Sequence, residues 1–381
     1  MKPLALYIHW PFCVSKCPYC DFNSHVRERV DQTVWKTSLV QELLSMSQKI
    51  QKRPLTSIFF GGGTPSLMPA EIVSTLISEA QNLFGFDPMI EITLEANPNS
   101  FDVTRFLDFR AAGVNRISLG IQSFEPEALK FLGRAHSRDE AYYALESAKK
   151  IFDRVSFDLI YARPRQTLKT WEEELTHALS FNPSHLSLYQ LTFEEGTVFE
   201  KKLRRGEIIS LEEDLASLMY EQTQNIMKNA GLPAYEVSNH AKKNQESRHN
   251  LSYWTYQEYM GIGPGAHGRL SIDGKIHATR TTKLPERWLE NVRNRGQSLE
   301  EVLPLGQETV FEEALMMGLR LKKGLLLEIL TEIDSDRTGS LIKSASFKSL
   351  IDEGFIEQTS TNLKVTDKGM PLLNAVLSYL M

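Results

Sequence analysis

The chain has 381 residues, 41% hydrophobic and 24% charged, with a formal net charge of -5. That composition excludes a disordered chain and suits a soluble globular protein of about two domains. The mild acidity excludes a broad nucleic-acid footprint, which needs a basic face to displace phosphate counterions.

Six short apolar, β-branched runs are predicted as buried strands: Leu4 to His9, Ser57 to Gly61, Glu91 to Glu95, Arg116 to Gly120, Val155 to Leu159 and His185 to Gln190. Each gap holds a helical pattern, such as Gln32 to Lys52, Pro69 to Phe84 or Leu168 to Ser180, and crossovers of that length make neighbouring strands parallel. The fold class is therefore α/β, an incomplete (β/α)6 TIM-like barrel over residues 1–231, with a full eight-unit barrel as the alternative. A further helix is expected from Leu211 to Ala230, then an irregular, loop-built extension over 232–305. Beyond Gly306, helices at Glu308 to Leu319 and Leu341 to Glu353, a hairpin at Phe355 to Gln358 and Asn362 to Thr366, and a last helix suggest a winged-helix-like domain over 306–381. That domain carries eight Lys or Arg against eleven Asp or Glu, which favours packing or docking over DNA binding.

Polar and glycine-rich segments follow the first three strands: a cysteine loop, GGGTP (Gly61 to Pro65) and EANP. In βα barrels that end of the sheet carries the chemistry. Cys13, Cys17 and Cys20 are the chain's three cysteines and form one CxxxCxxC loop. An odd, tightly clustered set points to metal ligation in a reducing compartment, so a cytoplasmic setting is expected. The run Leu4 to Trp10 lacks a small-residue cleavage site and is not expected to be a signal peptide. A 4Fe-4S cluster normally takes four thiolates, and three leave one iron open. A zinc site completed by His9 or His25 is the competing reading. Glycines at a strand end let the backbone approach a ligand, or merely form a tight turn.

The ordered segments YIHWPFCVSKCPYCDFNS, FFGGGTPSL, EANP, NRISLGIQSF, LGRAH, SFDLIY, LYQLTFEEGT, YEVSNHA, HNLSYW and GIGPGAHG resemble the coproporphyrinogen oxidase-like branch of the radical S-adenosylmethionine superfamily, over nearly the whole chain. The resemblance implies a 4Fe-4S cluster on Cys13, Cys17 and Cys20, and S-adenosyl-L-methionine held by Tyr7, Tyr19, Gly62, Gly63, Thr64, Glu95, Gln122, Arg134 and Asp158. These residue types suit the task, since carboxylates accept from ribose hydroxyls and an arginine pairs with a carboxylate.

Within that branch the oxygen-independent oxidases resemble CxxxCxxCxC and carry an N-terminal extension. Here Asp21 and Phe22 follow Cys20, and the first strand begins almost at the first residue. The heme-chaperone group fits instead. HNLSYW is similar to its heme-associated HNxxYW segment, implying heme contact at His249, Asn250, Tyr253 and Trp254. A histidine can serve as an axial ligand and the aromatics offer flat apolar surfaces; hydrogen-bonded packing is the alternative. The implied function is heme binding and transfer to an acceptor protein of respiratory or membrane-associated type, with a reductant protein serving the cluster and no nucleic acid involved. Oxidative decarboxylation of coproporphyrinogen III is the rival activity.

One segment departs from the resemblance. Where the family has GLPGQT after the fifth strand, this chain has Ala162, Arg163, Pro164, Arg165, Gln166 and Thr167. Two glycines are lost, which puts the loop's conformation in question. The arginines could meet heme propionates or form a solvated pair.

Overall fold

The computed structural model describes residues 3–381. Its centre is an open eleven-stranded sheet. Six parallel strands lie side by side in chain order: β1 (Leu4–Trp10), β2 (Leu55–Gly62), β3 (Phe86–Ala96), β4 (Arg116–Gln122), β5 (Arg154–Tyr161) and β6 (His185–Gln190). The six predicted strands are these, each within a few residues of its expected bounds. Crossover helices α1 (Gln32–Ser47), α2 (Ala70–Phe84), α3 (Val103–Ala111), α4 (Arg138–Ile151) and α5 (Leu168–Ser180) join them.

The strands alternate with period two, and that alternation makes the site. Ile58 and Phe60, Ile92 and Leu94, Ile117 and Leu119, and Phe157 and Leu159 fall in one apolar core with the helices. The opposite set, including Ser57, Glu91, Thr93, Glu95, Arg116, Ser118, Ser156, Asp158, His185 and Ser187, is polar and turns to the concave face. A one-residue register slip would exchange the two sets. Side-chain caps stop the helices from fraying: Asp31 accepts from Thr33 and Val34 N–H at 3.1 Å, and Ser137 forms a capping box with Glu140.

The extension is not irregular, as the sequence reading expected. The helix expected before it is α6 (Glu213–Asn229), and the extension itself contributes β7 (Asn239–Ala241), the short helix α7 (Arg248–Trp254), β8 (Glu258–Ile262), β9 (His267–Ile272), β10 (Lys275–Thr281), α8 (Pro285–Arg295) and β11 (Leu299–Pro304). β7 pairs antiparallel with β6, while β8 pairs parallel with β1 and begins an antiparallel ribbon to β11. The chain thus crosses from one edge of the barrel sheet to the other, and the sheet stays open. These strands are short, and the chain turns after β8 at Gly263 (φ 89°), where only glycine fits because a Cβ would lie 2.3 Å from the His9 carbonyl oxygen.

The C-terminal unit has its own core, built on Phe311, Leu315, Leu330, Phe347 and Leu377. A three-stranded sheet, Leu325–Leu326, Asn362–Val365 and Ile356–Gln358, sits against helices Gln307–Gly318, Leu327–Ile333, Ser335–Lys343, Ala345–Asp352 and Leu373–Leu380. The expected helix from Leu341 to Glu353 breaks at Ser344, whose hydroxyl caps the next helix at Phe347 N–H. Arg269 pairs with Glu313 at 2.8 Å and Arg320 with Glu236 at 3.2 Å, tying this unit to the sheet. No helix among the described residues is long and apolar enough to cross a membrane.

Candidate cofactor site

A cavity of about 570 Å³ opens at the C-terminal ends of the parallel strands. Cys13, Cys17 and Cys20 line one wall, and Gly62, Gly63, Thr64, Glu95, Gln122, Arg134 and Asp158 line the rest, with Tyr19 at the cysteine loop. Every S-adenosylmethionine contact expected from the sequence is therefore here, except Tyr7. Tyr7 lies deeper, its hydroxyl 3.0 Å from His9 Nδ1 and its ring stacked near Phe59.

Hydrogen bonds aim at the sulfurs. The Thr64 hydroxyl donates to Cys13 Sγ at 3.5 Å, and Arg134 Nη1 to Cys17 Sγ at 3.4 Å. Cys20 Sγ lies 3.7 Å from the Ser24 hydroxyl. Asn97 links these donors: its amide gives to Thr64 Oγ1 at 3.0 Å, and its carbonyl oxygen accepts from Arg134 Nη2, which also donates to Gly120 O at 2.7 Å. Asn97 was not singled out from sequence, although EANP contains it; a motif residue whose partners lie on other strands gives no local signal. Burial pushes the Cys13 and Cys20 thiols above their ordinary pKa, so binding iron there means displacing protons.

This arrangement fits a cubane cluster. Its thiolates sit on separate irons and need shared access to one space, with donors on the sulfurs. Among the described residues, no three His, Cys, Asp or Glu side chains converge as ligands of a single ion would. The histidines considered for zinc are engaged elsewhere: His9 Nε2 donates to Asn23 O at 2.9 Å, and His25 Nε2 meets Asn23 Oδ1 at 3.1 Å.

The glycines of GGGTP serve the protein's own packing first. A Cβ on Gly62 (φ 114°) would lie 2.6 Å from the His9 ring, and one on Gly63 would lie 2.6 Å from Phe12 O. The Gly62 N–H donates to Glu95. Two carboxyls face the cavity from β3 and β5. Burial, with Asp158 nearby, raises Glu95 to about 8, and burial raises Asp158 to about 6 against the opposing Ser187 hydrogen bond.

The heme-associated segment does not meet the cavity. α7 packs at the N-terminal ends of β2 and β3, where Glu91 accepts from the Arg248 and His249 N–H groups at 3.1 Å each and pairs with Arg154 at 2.6 Å. His249 is 1% exposed, stacked 4.9 Å from Phe59, with Nδ1 on Ser57 and Nε2 on Tyr253. The Asn250 N–H donates to Ser247 Oγ at 3.3 Å, and Trp254 lies under the Arg320 guanidinium, 4.5 Å from its centroid. In this structure the segment has the hydrogen-bonded packing arrangement, with both ring nitrogens of His249 taken, by Ser57 and by Tyr253.

The ARPRQT loop keeps a glycine-like backbone without glycine. Ala162 has φ 56° and Arg165 φ 63°, a left-handed conformation that costs about 1–2 kcal/mol per residue. Arg163 is not free for propionates, because it is buried and paired with Glu174 at 2.5 Å; Arg165 is exposed.

The parallel half-barrel, three-thiol loop and adjoining polar cavity define a radical S-adenosylmethionine protein. The profile of the radical SAM superfamily matches residues 7–178, and that of the HemN C-terminal domain matches residues 305–372. The chain is 37% identical to heme chaperone HemW of Haemophilus influenzae over 99% of this chain and 97% of that protein. It is 40% identical to heme chaperone HemW of Escherichia coli K12 over 77% and 79%, respectively. It is also 36% identical to the mouse mitochondrial radical S-adenosyl methionine domain-containing protein 1 over 99% and 87%. The chain belongs to the HemW family, in the HemN-like branch of that superfamily. Its fold is similar to that of coproporphyrinogen III oxidase HemN from Escherichia coli, with a TM-score of 0.82 at 21% identity, covering 100% of this chain and 90% of the other. A 4Fe-4S cluster and S-adenosylmethionine are the cofactors of this superfamily.

Proposed function

We propose that this protein is a heme chaperone, binding heme and passing it to an acceptor protein, with a 4Fe-4S cluster on Cys13, Cys17 and Cys20 and S-adenosylmethionine in the adjoining cavity. When bound, the cluster supplies one electron for cleaving the cofactor's sulfonium. Thr64 and Arg134 would donate to the thiolates, and Gly62, Gly63 and Thr64, which line the cavity beside the cysteines, would hold the cofactor's amino end. Glu95, Gln122 and Asp158, which line the same cavity, would accept from or pair with the cofactor's polar groups. The setting is a reducing cytoplasm with a reductant protein serving the cluster, and the acceptor is of respiratory or membrane-associated type.

The observation that carries the chaperone reading over porphyrinogen oxidation is Phe22. It stands at the CxC position of the oxidase-like pattern and lies 59% exposed at the cavity, which Val14, 61% exposed, also lines. An apolar rim next to the cluster wall suits a porphyrin face better than a fourth thiol would. Heme binding through His249 requires α7 to release the ring from Ser57 or Tyr253. The test is anaerobic reconstitution followed by a Soret titration and a coproporphyrinogen III assay on the same sample. Stoichiometric heme with no protoporphyrinogen is expected; turnover without heme binding overturns the reading.

A further inference from the structure

Gln122 ends β4 with a left-handed backbone, φ 69°. Its amide converges with Asn97 and Arg134 over Gly120, where an added Cβ would lie 3.1, 3.0 and 3.5 Å from the three side chains. A non-glycine residue holds that conformation only where its surroundings over-determine it.

Those surroundings lie behind the cavity. Ser123 is wholly buried; its hydroxyl donates to Glu174 Oε1 and accepts from Arg163 Nη1 at 2.7 Å and Glu125 N–H at 3.0 Å. The Phe124 N–H donates to the same Glu174 oxygen at 3.3 Å. Arg163 closes on Glu174 at 2.5 Å, and the Gln166 amide adds a bond at 3.4 Å. One carboxylate on α5 thus gathers donors from the exits of both β4 and β5.

We propose that the Arg163–Glu174 pair, acting through Ser123, positions Gln122 and thereby sets the affinity of the cavity for S-adenosylmethionine. The pair touches no cofactor; it is a positioning device, and it rests on the proposed assignment of Gln122 to the cofactor. Geometry held by a buried hydrogen-bonded shell is lost when the shell is cut, even if the contacting side chain remains.

The test uses the anaerobically reconstituted full chain and equilibrium dialysis with S-adenosylmethionine, with iron content measured in parallel. Ser123→Ala should weaken binding about tenfold at unchanged iron content. Because it acts through Gln122, the double variant Ser123→Ala/Gln122→Ala should bind no more weakly than Gln122→Ala alone. Arg163→Lys, which keeps the charge but loses the fork, should weaken binding in the same non-additive way and serves if Ser123→Ala does not load iron. Additive losses, or wild-type affinity in both Ser123→Ala and Arg163→Lys, overturn the proposal. Wild-type affinity in Gln122→Ala instead removes the assignment of Gln122 to the cofactor, and the positioning role with it.

Discussion

The Ser57 hydroxyl lies 2.8 Å from Nδ1 of His249, so a strand of the barrel holds one nitrogen of the imidazole while Tyr253 holds the other at 2.7 Å. Any axial ligation through this ring must replace one of these bonds. Ser57→Ala should therefore speed heme uptake several-fold in stopped-flow Soret measurements. His249→Gln should remove the imidazole signature of the bound heme; an unchanged spectrum would place the axial ligand on another residue.

Buried imidazoles make the fold acid-sensitive. Burial lowers His249 to about 3 and His9, His136 and His240 to about 4, and holds His185 well below its ordinary value. The unfolded chain takes up these protons near pH 6.5, so their contribution is present above that pH and is lost as pH falls toward 4, by about 1.4 kcal/mol per pH unit for each proton. Denaturant unfolding across this range should show it. His249→Gln should flatten the slope by up to one proton, and an unchanged slope would mean that His249 titrates normally.

The two cavity carboxyls predict proton-coupled cofactor binding. Glu95 is raised to about 8 and Asp158 to about 6, so the empty site is partly protonated near neutrality. A cationic sulfonium and ammonium favour the ionised forms, so affinity should rise with pH between these values. Calorimetry in buffers of different ionisation enthalpy should detect proton release on binding. Glu95→Gln should reduce it, and equal release in both proteins would contradict the assignment.

Arg165 carries left-handed strain on an exposed side chain, φ 63°. Arg165→Gly relieves that strain at the entropic cost of glycine, for a net stabilisation of about 0.5–1 kcal/mol. Denaturant titration measures it, and a loss of stability would mean that the side chain contributes packing.

Glu42 is fully buried on α1 and accepts from Gly263 N–H at 2.8 Å, Ser298 N–H at 2.9 Å and the Trp288 indole at 3.0 Å. It thereby pins the extension to the barrel. Glu42→Gln turns an NH₂ group toward these donors and should destabilise the protein by about 1–3 kcal/mol. Urea unfolding without a change in slope would confirm an effect on stability alone.

The sequence by itself determined the parallel strands and the cluster loop, because period-two alternation and CxxxCxxC spacing are local patterns. Tyr19, Glu95, Gln122, Arg134 and Asp158 were named on resemblance, and the fold brings them to one cavity with the three cysteines. Three things were decided only by tertiary structure. The extension became sheet because its short strands find partners on both barrel edges. Arg163 turned inward because Glu174, eleven residues away, neutralises it. His249 closed on Ser57, 192 residues distant in the chain; that contact exists only once β2 and α7 are packed, and no reading of HNLSYW alone contains it.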